Sequence, residues 1–349
     1  LKLSSRILGT AASAFDRAVV VAMQTRNRRV RARSESLSHD ERMEKLAWIR
    51  DAYGAKEHIE NPDSYFVPPT KIDPKLRRVR SDEGEVLDAS WPSTFDPFLD
   101  DVRGSYMAHD ANRTAHARLF VSKTPRPAVV LIHGYMAGHW ALEERAWPID
   151  WIRRRGLDVA IVLLPFHALR GRADGGAPPF PGADPRFTNE GFRQAIADVR
   201  GAIAILRDRG APAVGVMGMS LGGYTTSLLA TVEKDLAFAV PLIPLASIAD
   251  FAQDQGRLGT DERSLLQHRS LEEANWVVSP FARPSKVAPN RMLIVGAEAD
   301  RITPIRHAER LARHFEAPLH RFHGGHLLQF GRSEAFREVR RLWQRIGIV

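Results

Sequence analysis

From about Thr114 onward, short apolar runs alternate with longer segments whose apolar residues recur every three to four positions. The runs Ala128 to Ile132, Val159 to Leu164, Ala213 to Met217, Phe238 to Ile243 and Met292 to Val295 lack polar alternation, as strands covered on both faces require. Between the second and third, Phe192, Ile196, Val199, Ile203 and Leu206 share one helical face, with Arg193, Arg200 and Arg207 facing elsewhere. Strands alternating with amphipathic helices predict an α/β fold with a mostly parallel sheet flanked by helices. A short strand, Leu319 to Phe322, comes last.

The N-terminal part reads differently. Ser38 and Glu41 form a capping box ahead of Met43, Leu46, Ala47 and Ile49, predicting a helix from about residue 39 to Tyr53. Pro62, Pro68, Pro69 and Pro74 then forbid a long helix and predict an ordered strap. Arg77 to Arg80 and Glu85 to Ala89, either side of Gly84, are the first antiparallel strands. Residues 1–75 thus read as a helical, basic extension with a proline-rich strap, and 76–349 as the main domain. Two connections in that domain are long: His167 to Phe187, rich in Gly and Pro, and residues 245–288, which suit either a helical lid over a pocket or a helix pair packed on the core. Both leave the carboxyl ends of strands, where open α/β sheets place their ligands.

With 349 residues, 44% of them hydrophobic and 26% charged, the chain can bury a full core, which excludes a disordered tail or a disulfide mini-scaffold. It has no cysteine, so thiolate metal sites, disulfides and a cysteine nucleophile are excluded and oxygen and nitrogen side chains must carry the chemistry. The longest apolar stretch near the start, Ile7 to Met23, is broken by Asp16-Arg17, and no membrane-spanning helix is expected. Lys2 and Arg6 followed by Ala12-Ser13-Ala14 imitate a secretory leader, but the apolar centre is about five residues where a leader needs roughly 7 to 15, so a cytoplasmic protein is expected.

Of the net charge of +9, residues 1–50 supply most, with 11 Lys and Arg against 5 Asp and Glu. Arg26, Arg28, Arg29, Arg31 and Arg33 form a basic run that reads first as a solvated linker. Leu8, Ala11, Phe15, Val19 and Ala22 make an apolar stripe just before it, suited to the protein's own core, to a second copy of the chain or to a membrane surface through residues 1–33. No nucleic-acid-binding signature accompanies the run, and nucleic acid is not an expected partner.

The chemistry centres on Gly218-Met219-Ser220-Leu221-Gly222-Gly223, a G-x-S-x-G string directly after one predicted strand and before a helix. A strand that turns abruptly into a helix exposes the serine, and the crowding of that turn demands glycine two residues to either side. An ordinary helix N-cap is the competing role for Ser220. The strand Ala128 to Ile132 ends in His133-Gly134-Tyr135, a turn able to offer a second backbone donor, so the N–H groups of Leu221 and Tyr135 are the expected oxyanion hole.

Together with the Gly296-x-x-x-Asp300 turn that runs to Pro304, and with His323-Gly324-Gly325-His326, these motifs resemble the α/β-hydrolase superfamily from about residue 115 to the end. The resemblance implies a fold with an eight-stranded type of sheet, a nucleophile at Ser220, an acid at Asp300 and a general base at His326, in that chain order. Glu298 and Asp250 are the rival acids and His323 the rival histidine, while His133 is expected to be structural. Pro165-x-His167-x-x-Arg170 resembles a pattern in a branch of α/β-hydrolase-domain proteins with long N-terminal extensions, and makes His167 and Arg170 candidate substrate contacts or anchors of a buried loop. Neither H-E-x-x-H nor any regular ligand spacing is present, so no metal and no cofactor is expected.

The expected reaction is cleavage of a small-molecule acyl ester through an acyl-enzyme on Ser220. Thioester cleavage or acyl transfer would use the same three residues, and a non-catalytic scaffold docking on a membrane or protein partner is the alternative from another class.

Overall fold

The computed structural model describes residues 9–21, 37–82, 84–172, 176–258 and 261–349. Its centre is a nine-stranded sheet of order β1-β2-β3-β5-β4-β6-β7-β8-β9. The strands are β1 (Lys75–Asp82), β2 (Gly84–Pro92), β3 (Thr114–Val121), β4 (Ala128–Ile132), β5 (Asp158–Val162), β6 (Val214–Met219), β7 (Ala239–Leu242), β8 (Ile294–Ala297) and β9 (Leu319–Phe322). β1, β2, β3 and β5 pair antiparallel in turn, and every pairing from β5 through β4 to β9 is parallel. The sheet therefore carries one strand more than the eight expected.

The central strands are buried on both sides because their alternate residues serve two different core layers. Val130, Ile132 and Val216 face one layer, with Phe192, Ile196, Ile203 and Leu228 from the helices Pro185–Asp208 and Leu221–Val232. Val129, Leu131 and Met217 face the other, with Trp147, Val339 and Trp343, the last two from the helix Arg332–Arg345. The order reverses at β5-β4-β6, where Ile132 pairs with Gly218, so the loops leaving β4 and β6 emerge side by side. That crevice is where a doubly wound sheet binds its ligands.

The helix His39–Tyr53 has the capping box its sequence announces: Glu41 N donates to Ser38 Oγ at 3.2 Å, and Ser38 N to Glu41 Oε2 at 2.7 Å. Such a cap contributes about 0.5–2 kcal/mol. Leu46, Ile49 and Tyr53 from this helix and Tyr65, Phe66 and Ile72 from the proline-rich strap enter the same core layer as the sheet, so the packing runs continuously across residue 75. Arg200 faces away from the helix's apolar stripe, as expected, but is 6% exposed rather than solvated. It pins the strap, with Nη2 on Asp63 Oδ1 at 2.8 Å, Nε on Glu233 Oε2 at 3.1 Å and Nη1 on the Phe66 carbonyl.

Residues 245–288 form the helices Ile248–Asp254 and Glu262–Ala274 followed by two short 3-10 turns, with 259 and 260 outside the described residues. The segment is docked at several points: Arg310 bridges Asp250 and Glu272 at 2.6 Å each, Asn189 Nδ2 donates to Ala274 O at 2.9 Å, and Tyr224 Oη to Val278 O at 3.1 Å. These contacts hold the described part of the segment against the rest of the domain. No helix among the described residues is long and apolar enough to cross a membrane.

Residues 9–21 are helical, and the apolar stripe is not the face that packs on the protein's own core. The buried face is Ala12, Ser13 and Asp16, while Phe15 is 47% and Val21 60% exposed. A hydrogen-bonding site on the body outcompetes the apolar stripe for the interface. Leu8, Ala22 and the arginine run 26–33 lie outside the described residues.

Candidate active site

Ser220 sits between β6 and the helix Leu221–Val232 with φ 56° and ψ −113°, a left-handed conformation that costs a residue with a side chain about 1–3 kcal/mol. Three backbone bonds hold it there: Ser220 N to Leu242 O at 3.0 Å, Leu245 N to Ser220 O at 3.1 Å and Tyr224 N to Ser220 O at 3.0 Å. A Cβ on Gly222 would collide with the Ile132 carbonyl oxygen and stand 2.7 Å from that of His133, which is why this turn needs glycine. Although Ser220 occupies the N-cap position, its side chain makes no capping hydrogen bond. The hydroxyl is therefore not spent on the helix, which separates this serine from an ordinary cap.

Asp300, 2% exposed, follows β8 and is saturated with donors. Its Oδ1 accepts from Ile302 N and Thr303 N at 2.8 Å each, and its Oδ2 lies 2.7 Å from His326 Nδ1 and 3.0 Å from Thr303 Oγ1. Since a carboxylate only accepts, His326 carries its proton on Nδ1 and leaves Nε2 as the basic nitrogen. Burial pulls the imidazole pKa down, but the charge of Asp300, its hydrogen bond and the charge of Asp16 outweigh burial and leave it raised. No hydrogen bond joins Ser220 to His326 among the described residues, and catalytic contacts of this kind commonly tighten when substrate is bound.

The rivals lie elsewhere in function. Glu298 is exposed, Asp250 is held by His268 Nε2 at 2.9 Å and by Arg310, and His323 packs against Gly331. Thr303, whose hydroxyl is also 3.1 Å from Ile243 O and 3.0 Å from His326 Nδ1, was within the recognised turn but carried no expected role. The short D-x-x-T spacing, which lets the backbone fold over the carboxylate, is the signal for it.

The second turn lies against the first. A Cβ on Gly134 would be 3.5 Å from Ser220 Cβ and 4.0 Å from its Oγ, which places the His133-Gly134-Tyr135 segment beside the serine. The N–H of Leu221, at the first helical position, has no intrahelical acceptor. Tyr135 extends its hydroxyl to Pro178 O at 3.1 Å. His133, fully buried, accepts from Leu164 N at Nε2, 3.0 Å, and its Nδ1 is 2.7 Å from Gly134 O. Burial lowers its pKa, and it ties β4 to the end of β5 as a neutral structural residue.

His167 and Arg170 separate. Arg170 is 1% exposed; Nη1 donates to Leu163 O and Nη2 to Asn112 O at 2.9 Å each, and Nη1 is 2.7 Å from Asp198 Oδ2. It anchors the loop. Replacing it with Met leaves Asp198 buried without its cation and should cost about 3–5 kcal/mol in urea unfolding while KM is unchanged. Full stability with a raised KM would instead return Arg170 to substrate contact. His167 points Nδ1 at Pro165 O, 2.7 Å, keeps an Nε2 without a partner among the described residues, and rests against the rings of His133 and Tyr135. Burial, helped by His133 and Arg170, pushes its pKa down to about 3, so it is a neutral acceptor.

The overall fold is similar to that of solved structures. Acetyl xylan esterase 1 from Thermoanaerobacterium sp. JW/SL YS485 is similar with a TM-score of 0.55 and 16% identity, over 84% of this chain and 96% of that one. The chain has the α/β-hydrolase fold. An acetyl xylan esterase from Paenibacillus sp. R4 is similar with a TM-score of 0.56 and 15% identity, over 85% and 99% of the two chains. Est1E from Butyrivibrio proteoclasticus with ferulic acid bound gives 0.51 and 16% identity over 66% and 95%. In sequence, an uncharacterized protein of Mycobacterium tuberculosis is 27% identical over 308 residues, 85% of this chain and 73% of the relative. No protein-family model matches the chain. On the α/β-hydrolase fold, Ser220, Asp300 and His326 stand in the chain order of nucleophile, acid and base. Among the described residues, no group of three or more His, Asp or Glu could hold a metal ion.

Proposed function

We propose that this protein is a serine hydrolase that cleaves a carboxylic ester through an acyl-enzyme on Ser220. The observation that carries the reading is an uncapped serine in a strained turn on the same sheet edge as a buried His326–Asp300 pair 2.7 Å apart. His326 Nε2 takes the Ser220 proton as Oγ attacks the carbonyl, and Asp300 steadies the imidazolium. The N–H groups of Leu221 and Tyr135 receive the developing oxyanion. His326 then returns the proton to the leaving alcohol, and water activated by the same nitrogen releases the acid. His167 is the member of its loop left with hydrogen-bonding capacity for a substrate. That two similar folds are named acetyl xylan esterases agrees with an ester as the substrate class.

Labelling by a fluorophosphonate probe in the wild type but not in Ser220→Ala is the expected result. Equal labelling, or none with folded protein and an accessible site, would overturn the reading. The labelling rate should fall as pH drops, because imidazolium cannot accept the serine proton. Since the His326 pKa is raised, the acidic limb should be centred above 6.5. A limb at or below that value would mean that another group limits the reaction.

A further inference from the structure

The helix of residues 9–21 reaches the catalytic loops through one side chain. Asp16 is 0% exposed, and its carboxylate gathers three backbone donors from two separate loops. Oδ2 accepts from His326 N at 2.7 Å and from Arg301 N at 3.3 Å, while Oδ1 accepts from Leu327 N at 3.2 Å. One donor belongs to the base itself, and another to the residue directly after the acid Asp300. A second peg stands beside it, where Arg301 Nε donates to Ser13 Oγ at 2.7 Å.

The seat is shaped for this contact. A Cβ on Gly325, the residue before the histidine, would lie 2.7 Å from Asp16 Oδ2 and 3.0 Å from Ala12 Cβ. A Cβ on Gly9 would lie 3.0 Å from His323 O. The helix turns its polar residue inward and leaves Phe15 in solvent, an inversion of the usual amphipathic arrangement that only a specific polar contact can hold.

We propose that Asp16 is a positioning residue for the general base, and that the N-terminal helix completes the active centre by tying the histidine loop to the acid loop. The inference rests on the serine-hydrolase reading. Asp16 touches no reacting atom. It holds the backbone that aims His326, and its charge favours the imidazolium formed as the serine gives up its proton. The charged groups facing the imidazole are Asp300 from the loop after β8 and Asp16 from the helix.

Asp16→Asn tests this, since it keeps the size of the side chain but removes the charge and sets an amide N–H against backbone N–H groups. Expected are a loss of about 10- to 100-fold in labelling rate and kcat with KM nearly unchanged, an acidic limb moved to lower pH, and partial recovery in Asp16→Glu. A folded Asp16→Asn protein with the wild-type rate and pH limb would overturn the proposal. If that variant does not fold, Gly325→Ala displaces the helix by its added Cβ and must show the same loss; a folded Gly325→Ala protein with the wild-type rate overturns it as well. The His326 ring titration, followed by NMR in a Ser220→Ala background and assigned by its loss in His326→Gln, reads the contact without turnover. A titration shifted down by Asp16→Asn supports the proposal even in a protein that labels nowhere, and an unchanged one sinks it even where Ser220 labels. Absence of labelling in the wild type sinks the hydrolase reading alone.

Discussion

Ser220→Ala should lower kcat by about 10⁵- to 10⁶-fold and leave the fold intact. On the proposed mechanism the size of the loss follows from removing the one atom that would form the covalent intermediate, while the oxyanion donors and the substrate contacts survive. The fold should persist because the hydroxyl makes no capping bond, and alanine has the same backbone requirements at φ 56° as serine. Circular dichroism and urea unfolding with the wild-type midpoint, beside single-turnover kinetics, check both halves. A variant within tenfold of the wild-type rate would remove Ser220 from the mechanism.

Asp300→Asn should lower kcat by about 10⁴-fold through the histidine rather than through substrate. Ile302 N and Thr303 N, both 2.8 Å from Oδ1, require an acceptor there, so the asparagine oxygen must take that place. The amide NH₂ then faces His326 Nδ1, which has to become an acceptor, and the ring proton moves to Nε2. A histidine protonated at Nε2 cannot receive the serine proton. The expected signature is a large fall in kcat at every pH, with KM little altered and His326 in the opposite tautomer by nitrogen-15 chemical shift. A loss of less than tenfold, or an unchanged tautomer, would assign the acid role to another residue.

Much of the architecture was legible because the relevant forces are local. β4 has the bounds of its apolar run, and β5 to β8 match theirs within two residues, since a strand covered on both faces must be apolar at every position. The capping box at Ser38 and Glu41 and the strand-turn-helix around Ser220 were equally readable, because each depends on residues a few positions apart. The ninth strand, not among the eight runs read from the sequence, is β3 (Thr114–Val121), where His116 and Arg118 interrupt the continuous apolar signal that marked the central strands.

The site divides along the same line. Ser220, Asp300 and His326 were named by motif and chain order, and the 2.7 Å contact between the last two joins residues 26 positions apart. His167 and Arg170 looked alike in sequence and differ in the structure, because Asp198 and two carbonyls occupy Arg170 while no described residue bonds His167 Nε2. Asp16 entered the sequence only as the charge that interrupts an apolar run, and Ala12-Ser13-Ala14 as the imitation of a cleavage box. Ala12, Ser13 and Asp16 form the docking face, with Asp16 on the histidine loop and Ser13 on Arg301 of the acid loop.

By itself, then, the sequence determined most of the strands, the elbow, the chain order of the candidate site residues and the exclusion of thiol chemistry, all properties written in neighbours or in composition. Tertiary structure decided which polar residues are buried and what they bind: Arg200 under the strap, Arg170 on Asp198, and Asp16 behind His326. A buried charge is stable only with partners, and those partners here lie from 7 to more than 300 residues away along the chain. No local pattern records such distances. Only the folded chain brings the donors to the charge.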